Sequence, residues 1–121
     1  MELADVVVTC AAVLANAGIA AADLKKAPFV LANSGAVGVP PAWLTPLALL
    51  KAAGAAGLLL GLLGLRPLGI AAGIGLVLFY LGAVAFHVRA RVLHTIAAPG
   101  LFLALAAGAL ALAATRQAPG A

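Results

Sequence analysis

Four ionisable side chains in this sequence could do chemistry together: Asp23, Lys51, His87 and Arg89. A carboxylate and an ammonium beside an imidazole and a guanidinium can polarise a carbonyl, stabilise a developing oxyanion or relay a proton. Their surroundings make them conspicuous. Lys51 stands in LTPLALLKAAGAAGLLLGL, and His87 and Arg89 close IGLVLFYLGAVAFHVR, runs almost free of other polar groups. An uncompensated Lys at the centre of a membrane helix costs on the order of 2.5–3.5 kcal/mol on insertion scales. Lys51 falls roughly one to two turns inside a boundary near Trp43 or Pro46. It must either snorkel to the headgroups or pair with an acid, and the acid expected at that end is Asp23.

The elements that carry these residues follow from composition. Of 121 residues, 66% are hydrophobic and 8% charged, against about 25% charged in an ordinary soluble domain, and the mean hydropathy is +1.25. A soluble core of this composition would leave no polar surface for water, so the chain is read as an integral membrane protein. Four apolar segments, 3 to 22, 44 to 65, 67 to 88 and 93 to 114, are each long enough to cross the bilayer as a helix. GLRPLG (64 to 69) makes the second and third antiparallel neighbours, with Arg66 as a surface anchor and Pro67 opening the next helix. The first connection, DLKKAPFVLANSGAVGVPPAW, is long, proline-containing and partly apolar; it predicts a short interfacial element, with Trp43 in the headgroup belt. The fold class is therefore all-α: an integral membrane antiparallel four-helix bundle over 1 to 114, with 115 to 121 as a flexible tail. Residues 17 to 23 offer small side chains at a plausible cleavage position, but Glu2 and Asp5 without Lys or Arg before the apolar run favour a retained first helix.

Antiparallel crossings sort the ionisable groups by end. Asp23, Lys25, Lys26, Lys51, His87, Arg89, Arg91 and His94 gather at one, and Glu2, Asp5, Arg66 and Arg116 at the other. In the first helix Glu2, Thr9, Asn16 and Asp23 recur at intervals of seven, a polar stripe that should face protein rather than lipid. In the third, Gly73, Tyr80 and His87 share a face, with Arg91 continuing it and Arg89 turned aside. Asn16 and Tyr80 are accordingly the candidate ligand-binding residues beside the four candidate catalytic ones. Interhelical hydrogen bonding is the plainer role for Thr9 and Asn16. Gly54, Gly57, Gly61 and Gly64, and Gly69 with Gly73, predict close helix packing; a stripe such as Gly75 and Gly82 could instead leave room for a flat lipophilic molecule.

Other chemistries find no support. His87 and His94 lie seven apart across a helix end and Cys10 sits in another element, so no metal site is expected. A single cysteine, Cys10, allows no internal disulfide and is read as a packing residue. The net charge of +4 and pI of about 10.0 come from scattered Lys and Arg, which suit lipid headgroups and not nucleic acid. No phosphate-binding glycine loop, nucleophile elbow or CxxC is present.

The run from PFVLANSGAVGVPPAW through LLKAAGAAGLLLG and LRPLG to FHVRAR resembles the DoxX-like family of small four-helix membrane proteins, from about Asp23 to Arg91. The resemblance implies the bundle fold, relatives associated with thiosulfate:quinone oxidoreductase and oxidative-stress assemblies, and a mammalian branch that chaperones receptor channels. It singles out Asp23, Lys51, His87 and Arg89 and implies no cofactor.

Three functions then stand open. The leading one is a membrane component that binds a lipophilic partner such as a quinone at the polar end, within a redox or detoxification system. With no haem, flavin or iron–sulfur signature, its redox step requires a protein partner. The second is a stand-alone acid–base enzyme acting on a lipophilic substrate, with His87 or Asp23 as base and Lys51 or Arg89 as electrostatic stabiliser. The third is a noncatalytic assembly factor, and self-association is compatible with all three. Counting short-loop charges puts Lys25, Lys26, Arg89 and Arg91 in the cytoplasm and both termini outside, in a multi-pass protein of the cell membrane.

Overall fold

A computed structural model describes residues 2 to 116. Its elements are α1 (Leu3–Leu24), α2 (Pro28–Ala36), a 3-10 turn (Pro41–Trp43), α3 (Leu44–Leu62), α4 (Arg66–Arg89) and α5 (Ala97–Thr115). α1, α4, α5 and the stretch Pro41–Leu62 are each long and apolar enough to cross a membrane. The four long helices pack in a ring, α1 on α3, α3 on α4, α4 on α5 and α5 back on α1. Their core is Ala12, Leu58, Leu76, Tyr80, Ala106 and Ala109.

Where each helix stops is encoded locally. α1, α2, α3 and α4 all end in a Schellman arrangement, in which the amide two residues past the cap bonds back to the last turn: Ala27 to Ala22, Val39 to Ser34, Leu65 to Leu60 and Val92 to His87. This closure needs one left-handed residue. Gly38 (φ 82) and Gly64 (φ 124) supply it without a steric penalty, whereas Lys26 (φ 51) and Arg91 (φ 57) carry a Cβ into that region.

Glycines set the closest approach. A Cβ on Gly61 would lie 2.5 Å from the Gly69 Cα, and one on Gly57 2.6 Å from the Ala72 Cβ, so α3 and α4 nearly touch backbone to backbone. Gly73 similarly seats Leu110 of α5. Gly75 and Gly82 have open space where a side chain would be.

Three expectations change. The buried stripe of α1 is Asp5, Thr9, Ala12, Asn16, Ala20 and Asp23, while Glu2 is exposed. A straight helix drifts by about 20° per heptad, so the inward face runs on spacings of three and four and meets Asp5 instead. The last helix begins at Ala97 and not at 93, because the left-handed turn at Arg91 leaves His94 in the connection. Thr115 is helical, and Arg116 is no part of a free tail: its guanidinium forms a two-pronged pair with Asp5 at 2.6 Å for each bond. Two buried or half-buried opposite charges at the bundle's rim hold it in place. Residues 117 to 121 of the expected tail lie outside the described residues.

Candidate functional site

Three chain segments place polar groups at the end of the bundle where α1 and α4 finish and α3 begins. Asp23 lies in the last turn of α1, Lys51 two turns into α3 and His87 in the last turn of α4. Lys51 Nζ donates to Asp23 Oδ2 at 2.6 Å, and both side chains are largely withdrawn from solvent, 13% and 5% exposed. Lys51 therefore pairs with its acid and does not snorkel. Its ammonium also stands 5.3 Å from the centre of the Phe79 ring, a cation–π distance.

His87 is buried, and its Nδ1 lies 2.8 Å from the Ala83 carbonyl one turn back. A carbonyl only accepts, so Nδ1 is the donor and carries the hydrogen. Nε2 is buried with no partner. Arg89 departs from the other three: it is exposed and its guanidinium lies 5.0 Å from the Phe86 ring, held by its own helix.

Asn16 and Tyr80 form a pair across the bundle. The Tyr80 hydroxyl donates to Asn16 Oδ1 at 2.5 Å, and Asn16 Nδ2 donates to the Ala12 carbonyl at 2.8 Å. Asn16 thus spends its amide on packing α4 against α1. Tyr80 turns the remaining part of its ring elsewhere.

That part faces a cavity of about 430 Å³, within the range of small-ligand pockets. Asp23, Lys51, Tyr80 and His87 line it, and Asn16 and Arg89 do not. α2, the predicted interfacial element, forms a wall of it through residues including Phe29, Val30 and Asn33. The remaining walls are largely apolar, and Gly82 leaves part of one wall flat. All four Phe, the one Trp and the one Tyr of the chain are among the lining residues. Tyr80 packs edge-on to Phe79 at 5.1 Å between ring centres, and tilted against Phe102 at 5.3 Å.

The aromatic lining is the feature the motif analysis passed over. A signal for it exists in the sequence: Phe29 and Trp43 are in the first connection, Phe79, Tyr80 and Phe86 in the second half of α4, and Phe102 near the start of α5. In an up-and-down bundle all six belong to one end. An interfacial aromatic belt would supply both ends, so the one-sided placement marks a local demand for rings. Asn33 on α2, whose Oδ1 is also buried without a partner, was missed because nothing in its local spacing separates it from an ordinary helix residue.

The chain belongs to the DoxX-like family, whose sequence model matches residues 7–109. No curated protein and no solved structure matches it significantly. Membership and four spanning helices make it a membrane protein.

Proposed function

We propose that this DoxX-like membrane protein binds a flat lipophilic ligand of the quinone type in its aromatic cavity, with the ligand head group towards Lys51, Asp23 and His87. The observation that carries the reading is the gathering of every aromatic ring in the chain around one cavity that also holds a paired charge and an unpartnered imidazole nitrogen. Rings give a planar ligand faces to stack on, while the few polar atoms fix its orientation.

The ion pair supports the same reading. Replacing a buried pair by apolar packing is often neutral or stabilising by about 1–4 kcal/mol, so bundle stability alone gives little reason to keep Lys51 and Asp23. A head-group oxygen beside the spare N–H bonds of Lys51 would gain a charge-assisted hydrogen bond. Partial negative charge that builds on that oxygen would be stabilised by the same ammonium.

In the wider reading, the protein is the ligand-holding component of a redox or detoxification system in the cell membrane, and a partner protein supplies or takes the electrons. The cavity end, which carries Lys25, Lys26, Arg89 and Arg91, faces the cytoplasm.

Native mass spectrometry of gently extracted protein tests the reading. A co-purifying quinone or comparable ring lipid that is lost from Lys51→Met supports it; a ligand-free protein that also binds no added quinone rejects it. Turnover of a lipophilic substrate by the purified chain alone would assign the cluster to acid–base catalysis instead.

A further inference from the structure

The hydrogen-bond inventory of the cavity is lopsided. The Tyr80 hydroxyl hydrogen is spent on Asn16 and the Ser34 hydroxyl donates to the Val30 carbonyl at 2.7 Å. Lys51 uses one N–H bond on Asp23 and keeps two, and the Trp43 indole sits on a half-exposed side chain. The acceptors are in the opposite condition. In a neutral imidazole whose Nδ1 hydrogen is held by Ala83, Nε2 presents a lone pair, and this one is buried with no donor. Asn33 Oδ1 is a second buried acceptor without a donor in the same lining.

We infer that the cavity selects a ring ligand that brings a hydroxyl hydrogen to His87 Nε2, so that within the quinone-type reading above, on which this inference rests, the hydroxylated form (a quinol or phenol) binds in preference to the quinone. A quinone ring oxygen can only accept. Set against Nε2 it would place lone pair against lone pair and leave a desolvated acceptor unpaired, whereas the quinol O–H donates to Nε2. The other ring oxygen still has Lys51 to donate to it, since a hydroxyl accepts as well as donates. No electron transfer is involved in the selection.

The test is calorimetric titration of the purified full-length protein under nitrogen with three probes of one ring: tetramethylbenzoquinone, its quinol and the quinol dimethyl ether. Loss of a donor to a buried acceptor is expected to weaken binding of the quinone and of the ether about tenfold or more relative to the quinol. In His87→Phe, which keeps a ring and removes the acceptor, the preference for quinol should shrink towards unity. Equal affinity for quinone and quinol, ether binding as tight as quinol binding, or an unchanged preference in His87→Phe overturns the inference. The ether comparison needs no variant, so it decides even where His87→Phe does not fold. Absence of binding by all three probes overturns the ligand reading itself, an outcome distinct from equal binding.

Discussion

Lys51 Nζ and Asp23 Oδ2 meet at 2.6 Å, joining the start of α3 to the end of α1 across 28 residues of chain. Two charges that would each be expensive in an apolar bundle make one another tolerable. Removing either alone strands its partner, so Lys51→Met or Asp23→Asn is expected to lower stability by about 3–5 kcal/mol, while the double variant recovers most of the loss. Thermal unfolding of the four proteins in one detergent measures the cycle. Double-variant stability no better than that of the single variants would mean that the pair does not couple the helices.

A second ion pair closes the opposite end. Asp5 is bound by Arg116 through two bonds and by the Thr9 hydroxyl at 3.3 Å. Arg116→Ala should therefore destabilise the bundle by roughly 3 kcal/mol, and Asp5→Asn combined with it should restore part of that. A neutral Arg116→Ala would place the guanidinium outside the fold.

Gly61 and Gly75 make a matched contrast on adjacent helices. Gly61→Ala drives a methyl to 2.5 Å from the Gly69 backbone, which cannot rotate away; overpacking of this kind costs about 1–3 kcal/mol. Gly75→Ala meets nothing within 4 Å and should be neutral or gain up to about 1 kcal/mol from helix propensity. Comparing the two melting temperatures checks the predicted α3–α4 contact.

At the helix ends, Lys26→Gly and Arg91→Gly should each stabilise by about 1 kcal/mol, since a left-handed residue with a Cβ is replaced by one without. The reverse change, Gly64→Ala at φ 124, should destabilise by at least about 1 kcal/mol. Denaturation midpoints of these three variants give the sign directly.

Tyr80→Phe deletes only a hydroxyl, yet it leaves Asn16 Oδ1 buried without its donor. The expected loss is about 1–3 kcal/mol, with ligand affinity changed little because the ring that lines the cavity remains. A large affinity loss at normal stability would instead give the hydroxyl a direct role at the ligand.

The sequence by itself determined the solvent, the secondary structure and the topology. Composition and run length demand membrane helices, because only a helix satisfies its own backbone in lipid, and the tight GLRPLG link forces α3 and α4 to run antiparallel. That ordering already brings Asp23 and Lys51 to one end, and the scarcity of other acids there makes them partners. Spacing alone went astray where it stood for direction: a strict seven-residue rule put Glu2 on the inner face where Asp5 lies, and it assigned Arg116 to a tail.

Only the tertiary structure decided which groups at the crowded end meet. His87 and Arg89 are two residues apart, about 200° around the helix axis; one is buried against the cavity and the other packs on Phe86 in the open. The convergence of six rings from α2, the 3-10 turn, α4 and α5 on a single cavity is likewise a property of the packed ring of helices. Local pattern fixes which way a side chain leaves its own helix. What stands opposite it depends on helix separation and rotation, and these are set by contacts such as Gly61 on Gly69 between residues that the sequence places in different elements.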